Sequence, residues 1–342
     1  MKILYQPRLS VEMRDTFFVI GSNSFSGSSF CFAALKEGSR VVGVSRSDEP
    51  TDAFLPYRWG GAQPDFQFRR LDLNQDLEGI INLIAEIKPR YVVNFAAQSM
   101  VAESWQNPDH WFQTNVVSTV RLHDRLRHFT FLDRYVHIST PEVYGSCTGF
   151  VGEETNFNPS TPYAVSRAAA DMSLRTFHAA YRFPVVWTRA ANVYGPGQQL
   201  YRIIPRTVLF IRLGKKIQLH GGGVSSRSFI HIDDVSDATL KIARDGVDGQ
   251  VYHISTQRAI TIRALVEMIC ERMNVDFDKH VEVVGERLGK DAAYLLDSSK
   301  LRTTLKWKDH VQLEEGIDEV IKWVDEHFDV LSQQEMNYIH KP

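Results

Sequence analysis

Short apolar runs alternate with amphipathic stretches through the first half of the chain. The runs at 16–21 (TFFVIG), 40–45 (RVVGVS), 66–73 (FQFRRLDL), 91–97 (YVVNFAA), 135–140 (YVHIST) and 184–192 (PVVWTRAAN) are rich in β-branched and aromatic residues and predict strands. Between them, 27–37, 76–88, 109–128 and 161–182 carry apolar residues at helical spacing, with Gly38 placed as a C-cap and Pro89 closing the second helix. Strand, helix, strand repeated in this way predicts an α/β fold built on a doubly wound parallel sheet with right-handed crossovers.

From YGPGQ (194–198) the alternation loosens, and LHGGGVSSRSF (219–229) is too glycine-rich for regular structure. The expected organisation is a dinucleotide-binding domain over 16–193, rejoined by a return segment at about 229–255. A smaller C-terminal α/β domain from 194–228 and 256–342 then shapes a substrate pocket, and 1–15 is an N-terminal extension. The amphipathic stretches TIRALVEMICERM and EEGIDEVIKWVDEHF are the helices of that second domain. A chain of 342 residues suits two such units.

Composition narrows the function classes. A formal charge of −2 leaves no general attraction to nucleic acid or to an acidic membrane, so any anion site is local. No run approaches the roughly 20 apolar residues of a membrane helix, and the first residues lack a signal-peptide core. Three cysteines without a CxxC pair point to a reducing, cytoplasmic setting, each read as a small buried hydrophobe. The 12 histidines show no HxxxH or HExxH spacing, so no metal is expected.

Chemistry enters at GSNSFSGSSF (21–30), where the first strand should turn into a helix. Gly21, Ser24 and Gly27 stand where a phosphate-binding turn has three glycines, for a tight bend, close approach of the backbone, and close helix packing. Ser24 in the middle place can donate a hydrogen bond to a phosphate at a helix N-terminus; an ordinary serine-rich loop is the alternative. After the second strand comes Ser45–Arg46 rather than an acid, which favours NADP over NAD, with gripping by Asp48 or Glu49 as the alternative. Asp72, closing the third strand, would lie near an adenine or cap its own loop.

STPEVYG (139–145) leaves the fifth strand at its carboxyl end, and TPYAVSRAAAD follows some 20 residues later with Tyr163 and Arg167 four apart. Together with NFAAQS, TNV (114–116), NVYGPGQ, IIPR, GGG..SRSFIHIDDV and ERLGKDAAYLLD, these motifs resemble the extended short-chain dehydrogenase family, and within it the nucleotide-sugar 4,6-dehydratases. The resemblance covers nearly the whole chain. It implies a Rossmann-type sheet and a dinucleotide held by the glycine turn, Phe25, Leu73, Ala96, Ala97, Asn115, Tyr163 and Arg167.

The resemblance also implies that Tyr163 is the base for a sugar C4 hydroxyl, aided by a cation. The family has lysine there; Arg167 keeps the charge but is planar and does not deprotonate. Thr140 would hydrogen-bond the C4 oxygen and Glu142 would remove the C5 proton. Pro141 stands where dehydratases acting on dTDP-glucose have an aspartate, so Glu142 would serve as both base and acid, as in the GDP-mannose enzymes. Ser99, Asn192, Arg206, Arg227, Arg287 and Tyr294 would bind a nucleotide-diphosphate sugar, and Lys290 stands where relatives often have histidine. The long helices at 109–128 and 161–182 would pair with a second copy as a four-helix bundle. The rival readings are another C4-oxidising nucleotide-sugar enzyme, such as a UDP-glucuronate decarboxylase or an epimerase, and a non-catalytic dinucleotide sensor.

Overall fold

The computed structural model describes residues 14–61, 63–285 and 295–342. Strands β1 (Thr16–Ile20), β2 (Arg40–Ser45), β3 (Phe66–Arg70), β4 (Tyr91–Asn94) and β5 (Arg134–Ile138) join Val185–Ala190 and Val251–Ile254 in one sheet. Its order is Val251–Ile254, Val185–Ala190, β5, β4, β1, β2, β3, and every pairing is parallel. The chain order reverses between β1 and β4, which opens a crevice at the carboxyl ends of those two strands.

The apolar runs make both faces of this sheet dry. Phe17, Val19 and Val41 face one cluster, with Phe30 and Ala34 of helix α1 (Phe25–Lys36); Phe18, Val42 and Val92 face another, with Ile80 and Ile84 of α2 (Leu77–Ile87). The helical stretch at 109–128 is not a uniform helix. It begins as α3 (Pro108–Phe112), passes through a π-turn at Gln113–Ser118 and continues as α4 (Thr119–Leu126). The π-turn swings Asn115 inward, where it is fully buried against α5 (Pro162–Tyr181).

A third apolar cluster lies outside the sheet. It joins α6 (Ile203–Arg212), α8 (Ile262–Arg272) and the helix Leu313–Glu326 through Ile204, Val208, Leu265, Ile317 and Trp323. Of the return segment, Phe229–His231 pairs only with Asn192–Tyr194, away from the main sheet. The return is made by α7 (Ile232–Asp245), which packs on α1, and by the strand Val251–Ile254 beside Val185–Ala190.

Candidate active site

The crevice widens into a cleft of about 1120 Å³ between the sheet ends and α6. Its floor is built by β5 and α5. Thr140 caps a single 3₁₀ turn, Pro141–Tyr144, by accepting a hydrogen bond from the Glu142 amide at 3.3 Å, and this aims Glu142 into the cleft. Pro141 fits the first position of that turn, where an N–H would have no helical partner. Thr161 caps α5, so Tyr163 in its first turn and Arg167 one turn later point the same way. Tyr163, Arg167, Thr140 and Glu142 therefore line one cleft.

Their electrostatics are mixed. Burial pushes the Tyr163 phenol above its ordinary value, and the Glu142 carboxylate pushes it further; Arg167, a hydrogen bond with Thr140 and then Arg202 pull it down. The guanidinium does not win this contest. Arg167 is itself buried and spends one nitrogen on the Ile138 carbonyl at the end of β5, while its Nε has no hydrogen-bond partner.

At the dinucleotide turn, Gly21 has φ +84°, and a Cβ on Gly27 would lie 2.1 Å from the Gly21 carbonyl oxygen. Both places therefore demand glycine. Ser24 departs from the expected role of a phosphate donor. Its hydroxyl donates to the Gly21 carbonyl at 2.7 Å and accepts from the Gly27 amide at 3.1 Å, so it closes the turn instead. Ser24, Phe25 and Ser26 line the cleft at the start of α1, where the first-turn amides lack helical partners and favour an anion. The cradle fits a dinucleotide pyrophosphate.

The remaining residues divide. Ala97, Ser99, Asn192, Arg206 and Arg227 line the cleft with Thr140, Glu142, Tyr163 and Arg167. Ala96 lies against Gly21, Leu73 is buried behind α2, and the buried Ser45 hydroxyl accepts from the Asn23 amide at 3.2 Å. Asp72 holds its own loop, accepting from the Asn74 amide at 2.8 Å. Asn115 spends its amide on the Gln98 backbone, at 2.9 and 3.0 Å, and on the Ser166 hydroxyl at 3.0 Å, so it braces the site from behind. Glu49 is engaged by Tyr57 and Arg58, and Asp48 by Arg70, which leaves neither of the alternative ribose acids without a partner. Arg287, Lys290 and Tyr294 lie outside the described residues.

Residues 336–342 run across the sheet ends. The Met336 carbonyl accepts from Arg206 at 2.6 Å, Tyr338 meets Tyr201 edge-on, His340 stacks on His110 and Trp111, and the Lys341 carbonyl accepts from Gln98 at 2.7 Å. Arg46 donates to the Pro342 carbonyl. Arg46 follows β2 and Gln98 follows β4, with β1 between them, so this segment spans the glycine turn. Sequence reasoning missed it, and missed Arg202 and Lys216, two further cations lining the cleft. Arg202 had a signal, standing four residues before Arg206 in YRIIPR. Away from the cleft, His231, Asp233 and Glu319 bring one ligand atom each within 4.8 Å, with the His231 Nε2 at 3.3 Å from Glu319.

A glycine cradle at the switch point of a doubly wound sheet, joined to a Tyr–Arg helix and a threonine-capped glutamate, is the architecture of a short-chain dehydrogenase of the nucleotide-sugar type. The chain belongs to the GDP-mannose 4,6 dehydratase family, whose model matches residues 18–320. A dTDP-glucose 4,6-dehydratase of Xanthomonas campestris pv. campestris is 30% identical, over 90% of this chain and 92% of its own. The crystal structure of a dTDP-glucose 4,6-dehydratase from Streptomyces venezuelae with NAD bound superimposes with a TM-score of 0.83 at 28% identity, covering 92% of this chain and 98% of that one. A UDP-glucuronic acid 4-epimerase from Bacillus cereus, in complex with its sugar nucleotide and NAD, superimposes at 0.82 with 26% identity, covering 91% and 99%.

Proposed function

We propose that this chain is an NDP-hexose 4,6-dehydratase that converts a nucleotide-linked hexose to its 4-keto-6-deoxy form. The observation that carries the reading is the joint placement of Tyr163 and Glu142 in one cleft beside the dinucleotide turn. A bound nicotinamide dinucleotide supplies the reversible hydride acceptor this chemistry requires. Tyr163 takes the proton of the C4 hydroxyl, and Thr140 holds the C4 oxygen. Once C4 is a ketone the C5 proton is acidic, and Glu142 removes it. Glu142 then delivers that proton to the C6 hydroxyl as it leaves as water, a double duty that suits a chain with Pro141 in place of an acid, and the 5,6-ene left behind would take up at C6 the hydride lost from C4 and at C5 a proton from solvent. A simple C4 epimerase has no use for a base at C5, and a sensor has no use for either residue.

Arg202, Arg206, Arg227 and Lys216 give the substrate side of the cleft the cations a diphosphate needs. The separate apolar cluster around α6, α8 and Leu313–Glu326 supports the division into a dinucleotide-binding and a nucleotide-sugar-binding domain. For the cofactor, Arg46 with Asp48 and Glu49 both paired to other arginines supports NADP, whereas the solved relatives hold NAD; mass analysis of whatever co-purifies decides between them. Exposed Phe112 and Val117 on the α3–α4 stretch, with Val165 and Met172 on α5, support a homodimer through a four-helix bundle. Its substrate is small and soluble, and among the described residues no helix is long and apolar enough to cross a membrane. The function is tested by incubating the purified protein with GDP-, UDP-, CDP- and dTDP-hexoses. Loss of water from one of them is the expected result; loss of carbon dioxide, or simple isomerisation, replaces the reading with a decarboxylase or an epimerase.

A further inference from the structure

Beneath the cleft lies a polar network that the proposed chemistry does not touch. Its centre is Arg189, fully buried on the strand Val185–Ala190 and seated over the rings of Tyr144 and Phe157 at 4.9 and 5.0 Å. One guanidinium nitrogen donates to Asp171 at 2.6 Å. Asp171 is on α5, one turn beyond Arg167 and two beyond Tyr163, and it is also fully buried. The other nitrogen donates to the hydroxyl of Tyr144, the last residue of the 3₁₀ turn that carries Glu142. The same carboxylate accepts from the Ser139 hydroxyl at 2.7 Å, next to Thr140, and faces the His137 Nε2 at 3.4 Å.

The donors and acceptors run in one direction. The Nδ1 of His253 lies 3.2 Å from the Asp297 carbonyl, which requires a proton on that nitrogen and leaves Nε2 as an acceptor. The Tyr144 hydroxyl, 2.7 Å from Nε2, donates to it and accepts from Arg189. Burial and Arg189 hold His253 down at about 3, so the ring stays neutral and this order persists. A planar guanidinium with two separated donors is suited to this bridge, and a lysine ammonium is not.

We propose that Arg189 is a positioning residue: through Asp171 and Tyr144 it locks the helix bearing Tyr163 and Arg167 to the turn bearing Thr140 and Glu142, and so sets the distance between the two bases. This rests on the dehydratase reading above. Oxidation at C4 and proton removal at C5 must occur on one bound sugar without rearrangement, and a misplacement of about 1 Å costs on the order of 10²-fold in rate. Arg189, Asp171 and Tyr144 do not line the cleft, so loss of the bonds between them should leave binding intact.

Tyr144→Phe removes only the hydroxyl and keeps the ring against Arg189 and Phe157. The expected result is a kcat lowered about 10-fold with KM within about twofold. In rapid mixing with the preferred substrate, reduced dinucleotide should accumulate, because oxidation at Tyr163 proceeds while elimination at Glu142 lags. Arg189→Lys, which keeps a charge for Asp171 but cannot span both partners, should show the same accumulation more strongly. A merely structural role predicts a lower melting temperature with unchanged kcat and no accumulation in Tyr144→Phe, and that outcome overturns the proposal. Wild-type protein that dehydrates no nucleotide sugar would instead remove the function on which it rests.

Discussion

Tyr163 and Glu142 line the same cleft from different elements, and the carboxylate opposes the ionisation of the phenol it works beside. The Tyr163 phenol is held above its ordinary value by burial and by the Glu142 carboxylate, against the pull of Arg167. On the proposed mechanism, proton transfer from the C4 hydroxyl is therefore expected to be favoured by rising pH.

Glu142→Gln separates the two steps. Removing the carboxylate stops elimination, lowering kcat by about 10²–10⁴-fold, and leaves transient oxidation of the substrate. It also takes a negative charge away from Tyr163, so the alkaline rise of the transient oxidation rate should move to lower pH. A variant that dehydrates at the wild-type rate removes Glu142 from the mechanism.

Arg167 acts in the opposite sense. Arg167→Ala should lower the oxidation rate by about 10²-fold or more and move its pH dependence upward, because the cation that offsets burial is gone. It also leaves the Ile138 carbonyl unpaired, at about 1–3 kcal/mol of stability. Arg167→Lys restores a cation to Tyr163 and should recover most of the rate. An unshifted pH profile in Arg167→Ala would show that the guanidinium does not act on the phenol.

Much of this was legible in the sequence. The six apolar runs became six of the seven strands of the sheet, and all but the edge strand β3 are largely buried, where a parallel strand needs continuous apolar residues on both faces. The motifs STPEVYG and TPYAVSRAAAD pointed to the stretches that carry Glu142 and Tyr163, and in the structure Thr140 and Thr161 cap the turns those stretches begin. Three things were not legible, because each depends on a backbone path or a distant partner that the local residue pattern does not show. Ser24 reads as a phosphate donor until the Gly21 carbonyl is placed against it. Asn115 reads as a ligand residue until the π-turn buries it behind Gln98. Arg46 meets Pro342, 296 positions away, a contact with no local pattern.

That contact gives a further expectation. Residues 336–342 engage Arg46 and Gln98 on either side of the glycine turn, so a dinucleotide must share or displace them. A chain shortened after Gln334 should bind NADP several-fold more tightly in a fluorescence titration, since Arg46 no longer has a backbone partner to give up. Weaker binding would mean that the segment helps hold the dinucleotide instead.

Stability should depend on pH through imidazoles the cleft never sees. Burial holds His123 and His137 well below 6.5 and His253 at about 3. Below pH 6.5 the unfolded chain takes up protons that the folded chain refuses, so stability is full above 6.5 and falls as pH falls. The slope is at most about 1.4 kcal/mol per pH unit for each ring. Glu153 and Asp234 are shifted upward and act in the opposite direction, but from ordinary values of 4.5 and 3.8. Melting temperature should therefore decline between pH 7 and 5.5; a flat or rising curve there would mean these rings are not buried neutral.

The most direct measurement of the central claim is the mass of the product formed in deuterated water. If Tyr163 and Glu142 act in turn on one sugar, the preferred NDP-hexose should lose water and gain one deuterium at C5, while C6 keeps the hydrogen that left C4. A product that has lost water without solvent deuterium at C5, or a nucleotide sugar recovered unchanged from every member of the panel, would contradict it.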